Sequence, residues 1–157
     1  QSSILYLAFN KSVKIEAEKK FKEANLQNVQ VETAHSLAYK HVVYGNGYKV
    51  KSNSYTTTEI ADLLALKGSN EKHTEYILAN HVNKYMSFFC NSNVQKVQEL
   101  NYSSLITDEK AAAFVNNWYN YIVQQTRLLL AKMNAGEIEV THDFYLKKFQ
   151  LYQPILQ

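Results

Sequence analysis

The pattern of apolar and polar residues divides the chain into an alternating start and a long helical remainder. Residues 4–9 form a short, unbroken apolar run, which is typical of a strand buried on both faces of a parallel sheet. Residues 29–32 alternate between apolar and polar, as a second short strand does. Helical patterns follow these runs, over 12–21 and 34–44, and Thr33 should cap the second helix. The first part of the chain therefore predicts the order β-α-β-α, the half-unit of an α/β sheet.

The remainder carries helical patterns separated by turn residues. Thr56 and Glu59 have the spacing of a capping box, and the helix that they begin should end near Leu66. Thr107 and Thr141 are expected to cap later helices. The three later helices are predicted over residues 71–90, 108–135, which Gly136 should end, and 142–151.

Two of these helices carry stripes of residues that we expect to face the core. In the helix predicted over residues 71–90 the stripe consists of Ile77, His81, Tyr85 and Phe88. In the longest helix it consists of Val115, Trp118, Tyr119, Ile122, Val123, Thr126, Leu129, Leu130 and Met133. This spacing favours a core role for Trp118 and Tyr119 over a platform for base stacking.

These patterns predict three regions and a predominantly helical protein. Residues 1–44 should form the α/β start, and residues 45–140 a helical insertion. Residues 141–157 should form a helix that returns toward the first region.

Composition and charge exclude several classes of protein. The chain has 157 residues, of which 46% are hydrophobic and 20% charged, as expected for an ordinary globular domain. Its formal net charge of +3 is too small to indicate nucleic-acid binding by itself. The single cysteine, Cys90, excludes an intramolecular disulfide and favours a reducing compartment, so we expect a cytoplasmic protein. No apolar stretch approaches the ~18 residues of a membrane span, and we predict no membrane partner.

The sequence carries no recognisable motif for cofactor, metal or catalytic chemistry. None of the four glycines belongs to a G-x-G-x-x-G pattern, and no G-x-x-x-x-G-K-[ST] loop is present. The five histidines and Cys90 show no metal-ligand spacing. We therefore predict no catalytic residue, no cofactor site and no metal site within this chain.

Polar turns follow both predicted strands and form the candidate binding site. Carboxyl ends of parallel strands meet at one edge of a sheet, where α/β proteins bind their ligands. The alternative is that Phe9 is a core residue, while Asn10 and Thr33 are only helix caps. The candidate residues are Phe9, Asn10, Lys11 and Ser12 after the first strand, and Thr33, His35 and Ser36 after the second.

Three segments resemble motifs of one enzyme family. Ile4-Leu5-Tyr6-Leu7-Ala8-Phe9-Asn10-Lys11-Ser12 resembles motif Ia of superfamily 1 DNA helicases of the UvrD/Rep type, in the branch of the F-box DNA helicase. Thr33-Ala34-His35-Ser36-Leu37-Ala38-Tyr39 is similar to the next motif of that family, T-x-H-S-x-A. Residues 141–151 resemble the segment that this branch carries shortly before its Walker B strand.

The resemblance implies a fold and an activity for a longer parent protein. Residues 1–44 would belong to a parallel RecA-like sheet, subdomain 1A of the motor, and residues 45–140 to the inserted subdomain 1B. The parent would hydrolyse ATP with magnesium and move 3′ to 5′ along single-stranded DNA. The Walker A loop would precede Gln1 and the D-E-x-x box would follow Gln157, so we expect an inactive fragment without an ATP site. Motif Ia here is also one threonine shorter than in the bacterial repair helicases.

The resemblance also implies that the candidate residues contact single-stranded DNA. Phe9 would lie against a base or sugar, Lys11 would neutralise a phosphate, and Asn10 and Ser12 would donate to one. Thr33, His35 and Ser36 would add contacts from the second turn. The alternative function is a stand-alone, mostly helical interaction module without a nucleic-acid role. Because a truncated sheet has unpaired edges, we also expect either self-association or a mobile α/β start beside a firm helical part.

Overall fold

The computed structural model describes residues 3–8, 11–69, 71 and 73–151, and within them the chain is predominantly helical, as predicted. The described residues form one two-stranded sheet and six α-helices. The elements are β1 Ile4–Ala8, α1 Lys11–Glu23, β2 Val29–Thr33, α2 Ala34–Ala38, α3 Thr57–Leu64, α4 Thr74–Cys90, α5 Glu109–Asn134 and α6 His142–Leu151. A π-helical segment, Tyr39–Tyr44, continues α2, and short 3-10 turns at Val97–Glu99 and Tyr102–Leu105 separate α4 from α5.

The alternating start is confirmed as a parallel strand pair with a crossover helix. β1 and β2 run parallel, in a register that places Ile4 opposite Val29 and Ala8 opposite Thr33. α1 packs on this pair, and the Phe21 ring contacts Tyr6 edge-on at a centroid distance of 5.3 Å. A small cluster of buried residues holds the unit together: Ala8, Ala17 and Val31.

The prediction that β1 is buried on both faces is wrong for this chain. The exposed fractions of Ile4, Leu5, Tyr6 and Leu7 lie between 41% and 52%, and only Ala8 of this strand is buried. The cause is geometric, because the described sheet has two strands and one packed helix. The apolar sequence of β1 is therefore suited to burial. Its side chains remain in solvent because one edge and one face of the strand have no neighbour among the described residues.

A much larger core lies among the remaining helices. α3, α4 and α5 pack side by side, while α6 packs against α4, α2 and the π-helical segment. Tyr85 and Tyr102 are fully buried at its centre, with stacked rings 4.9 Å apart. The Tyr85 hydroxyl donates to the carbonyl oxygens of Val97 and Leu100, both at 2.8 Å. These bonds attach the first 3-10 turn to α4.

The capping signals were accurate to within one residue. Thr56 and Glu59 form the predicted capping box, and the Thr141 hydroxyl accepts from the backbone of α6. Gly136 follows α5 with a φ of 75°, as a residue after a helix end often does. The cap of α5 is Asp108 and not Thr107, because the Asp108 carboxylate accepts from Ala111 N at 2.9 Å.

The predicted stripe of α4 is half wrong, and that of α5 is confirmed. His81 and Tyr85 are buried, but Ile77 and Phe88 are 42% and 43% exposed. α4 is apolar around most of its circumference, so the periodicity left its buried face ambiguous. The other apolar residues that α4 buries are Leu78, Ala79, Val82, Met86, Phe89 and Cys90. The predicted face of α5 packs on or within the core, including Trp118 and Tyr119.

The elements before and after Thr33 belong to different hydrophobic clusters. Leu37 and Ala38 of α2, with Val42 and Val43 of the π-helical segment, belong to the large core. β1, α1 and β2, which we call the N-terminal unit, share only the small cluster. The predicted division of the chain at residues 44 and 140 stays a prediction.

Candidate nucleic-acid interface

The turn after β1 is described only from the start of α1. Phe9 and Asn10, two of the predicted contact residues, lie outside the described residues. Lys11 and Ser12 are the first residues of α1, and both are exposed to solvent. Their position at a helix start leaves them able to meet an anion.

The turn after β2 has a defined hydrogen bond. The Thr33 side-chain oxygen accepts from Ser36 N at 3.1 Å and so caps α2, as the alternative interpretation proposed. This bond uses the acceptor side of the hydroxyl and leaves its proton free to donate. His35 is exposed and Ser36 is half-buried, so both remain accessible from solvent.

The strand register brings the ends of the two strands to one edge of the sheet. Ala8 and Thr33, the last residues of the two strands, are paired. Both strands therefore end at the carboxyl edge of the sheet, where α1 follows β1 and α2 follows β2 in the chain. The parallel order of the two strands, from which the site was predicted, is confirmed. The site itself and the contact of its residues with DNA stay predictions.

An aromatic cleft adjoins the second turn. It encloses ≈ 330 Å³ and is lined by His35, Ser36, Tyr39, Lys40, Tyr44 and Tyr145, and we call it the tyrosine cleft. Tyr44 is 78% exposed and Tyr39 is 38% exposed, so a flat ligand can reach both rings. The Tyr39 ring meets Tyr44 edge-on at 5.6 Å and Tyr145 at 5.8 Å. The rings are thereby held at fixed angles around an open space.

The π-helical segment explains why Tyr39 and Tyr44 are neighbours. In an α-helix, residues five positions apart lie about 140° apart around the axis and do not meet. A π-helix hydrogen-bonds residue i to residue i+5, which places them on the same face. The segment includes both tyrosines and therefore sets the two rings side by side.

A buried carboxylate fixes the position of the cation at this cleft. The Glu32 side chain is 9% exposed and accepts from Lys40 Nζ at 2.7 Å, while Lys14 Nζ lies 4.0 Å away. The hydrogen bond from Lys40 is the main reason that the pKa of Glu32 is lowered, so the carboxylate stays charged. The Lys40 side chain remains 55% exposed. It is therefore both held in place and open to an anionic ligand.

Comparisons of the chain with protein-family models, with characterised proteins and with solved structures find no match. Within the described ranges, no group of three or more His, Cys, Asp or Glu residues is placed to hold a metal ion. In the same part of the chain, no helix is long and apolar enough to cross a membrane.

Sequence reasoning missed four lining residues of the tyrosine cleft. Tyr39 and Lys40 directly follow the predicted contact residues, and this proximity was the available signal. Tyr44 was missed because a regular helix would have turned it away from Tyr39. Tyr145 lies on α6, far along the chain, and only the packing of α6 against α2 brings it to the cleft.

Proposed function

We propose that this chain is the single-stranded-DNA-contacting part of an ATP-dependent 3′–5′ DNA helicase of the superfamily 1 UvrD/Rep type. The observation that carries the proposal is the tyrosine cleft, which adjoins the Thr33–Ser36 turn at the carboxyl edge of a parallel strand pair. Stacking on aromatic rings beside a cationic groove is how proteins bind single strands, and it contributes ~1–3 kcal/mol per base. The motif resemblance supports the same assignment independently.

The proposed interface divides the contacts between phosphates and bases. Lys11 and Lys40 meet phosphates, and the Ser12, Thr33, His35 and Ser36 side chains donate hydrogen bonds. The exposed rings of Tyr39 and Tyr44 receive bases. By the motif resemblance, Phe9 would contact a further base or sugar. The few cations make weak, moderately salt-dependent binding the expected behaviour of the isolated chain.

The N-terminal unit would belong to a larger RecA-like sheet in the parent helicase. The exposure of β1 supports this proposal, because an apolar strand with an open edge is suited to a further neighbour. ATP and magnesium would bind to the Walker motifs of the parent. We therefore expect calorimetry to detect neither nucleotide binding nor hydrolysis by this chain alone, and micromolar ATP binding would contradict the assignment.

Binding to a labelled oligothymidine, followed by anisotropy over a salt series, tests the interface. Tyr44→Ala should weaken binding by ~1–3 kcal/mol without changing the salt slope, while Tyr44→Phe should bind as the wild type does. Phe9→Ala should resemble Tyr44→Ala. Lys11→Ala should lower the salt slope by ~0.7–1 unit.

Tyr76→Ala is the matched control, because Tyr76 is 47% exposed on α4 and does not line the cleft. The proposal fails if Tyr44→Ala and Lys11→Ala, with far-UV circular dichroism unchanged, bind as the wild type does at every salt concentration. Absence of any oligothymidine binding by the wild type would instead favour the helical interaction module.

A further inference from the structure

A second cleft lies between α5, α6 and the segment that contains the first 3-10 turn. It encloses ≈ 500 Å³, and all of its charged lining residues are cationic: Lys96, Arg127, Lys147 and Lys148. None of these four forms an ion pair with an acidic residue within the described ranges. We call this surface the basic cleft. Its uncompensated charge indicates an anionic ligand.

The four cations have different roles in the cleft. Lys147 is only 3% exposed, and its ammonium donates to the carbonyl oxygens of Ser92 and Val94 at 2.8 and 2.6 Å, so it holds the wall. Lys148 donates to Tyr48 Oη and to Asn134 Oδ1, both at 2.7 Å, and is oriented by them. Arg127 and Lys96 are exposed at the rim and can pair with a ligand.

The floor of the basic cleft is aliphatic where it is open. Leu151 is 43% exposed and Leu130 is half-buried, whereas the Phe89 and Phe144 rings are each 6% exposed. Among the described residues that line the cleft, no open aromatic face is therefore available for base stacking, on which single-strand sites depend. An apolar side chain fits this floor better than a nucleobase does.

We propose that the basic cleft binds a short acidic segment of a partner protein. One large apolar side chain of that segment packs on Leu130 and Leu151, and flanking carboxylates pair with Arg127, Lys96 and Lys148. The size of the cleft suits one or two side chains, so the partner is a linear segment and not a folded domain. Amphipathic peptides bind to grooves in this way. This role is independent of DNA binding.

Selection of a phage-displayed library of short random peptides on the whole chain tests the proposal. Enriched peptides should carry net negative charge and at least one large apolar residue. Arg127→Glu should weaken their binding about tenfold or more, since it reverses a rim charge. Lys110→Glu is the control, because it makes the same charge change at an exposed position of α5 outside the cleft. Leu151→Ser should also weaken binding, while Tyr44→Ala should not.

The proposal is overturned if no peptide is enriched, if enriched peptides are neutral or basic, or if Arg127→Glu binds them as Lys110→Glu does. It is also overturned if Arg127→Glu and Leu151→Ser weaken oligothymidine binding and leave peptide binding unchanged. In that case the cleft would belong to the nucleic-acid interface. Circular dichroism of each variant shows whether its fold is retained.

Discussion

The hydrogen bonds of the Tyr85 hydroxyl attach one wall of the basic cleft, the first 3-10 turn, to the helical core, and their contribution to stability can be tested. The hydroxyl donates to the carbonyl oxygens of Val97 and Leu100, and the first 3-10 turn depends on this attachment. Burial raises the pKa of Tyr85 well above its usual value, so the hydroxyl remains a donor at every physiological pH. Tyr85→Phe removes this donor and keeps the ring that stacks on Tyr102.

The expected loss follows from what the substitution leaves behind. A typical hydrogen bond contributes ~1 kcal/mol net, and a buried acceptor left with no donor at all would cost more, ~1–3 kcal/mol. Both carbonyls keep a second donor after Tyr85→Phe, since Leu100 N–H donates to Val97 O at 3.1 Å and the Tyr119 hydroxyl donates to Leu100 O at 3.4 Å. We therefore expect Tyr85→Phe to lose only ~1 kcal/mol of unfolding free energy. Tyr85→Ala also removes the ring and should lose ~3–5 kcal/mol.

Urea denaturation followed by far-UV circular dichroism measures both losses. With a slope of ~2 kcal/mol per molar urea, Tyr85→Phe should lower the midpoint by ~0.5 M. Tyr76→Phe, at an exposed tyrosine of the same helix, is the matched control and should change it by less than ~0.3 M. A Tyr85→Phe midpoint equal to that of the control would refute the reasoning, since it would mean that water replaces the lost donor.

Four further predictions concern single residues. Burial lowers the pKa of His81 from 6.5, so the free energy of unfolding should fall as the pH decreases below that value. In His81→Gln the urea midpoint should change less than in the wild type between about pH 7.5 and 5.5. Burial raises the pKa of Cys90 to about 12, so Ellman's reagent should react with its thiol only after unfolding. Gly136→Ala should cost ~1 kcal/mol by thermal denaturation, because the residue has a φ of 75°. Leu5→Lys should reduce self-association in sedimentation experiments if exposed β1 causes it, and equal association of both proteins would exclude that cause.

The parts of the fold that the sequence predicted are those set by local chemistry. The Thr33 cap, the capping box at Thr56 and the helix end at Gly136 each depend on residues within one turn. The exposure of β1 was not predictable, because an apolar run carries no information about which neighbours are present. The buried face of α4 was missed for a related reason, since several of its faces are apolar.

The candidate site was predictable in its location and not in its full composition. A parallel strand order alone brings Lys11 and Thr33 to one edge, and the structure has that order. The tyrosine cleft required two facts absent from any sequence pattern. The chain departs from α-helical geometry between Tyr39 and Tyr44, and α6 returns to place Tyr145 beside them.

The change of packing at Thr33 has a consequence for how tightly the interface can bind. Lys11 and Ser12 belong to the N-terminal unit, which three buried residues hold together, whereas Tyr39 and Tyr44 stand on the large core. A DNA strand can contact both groups of residues only while the N-terminal unit is folded and packed beside the large core. Opening of the weakly packed unit would remove half of the contacts and multiply the apparent affinity by the fraction of molecules that remain competent, which lowers it. A substitution that packs the N-terminal unit better, far from any ligand, would therefore tighten binding without adding a contact.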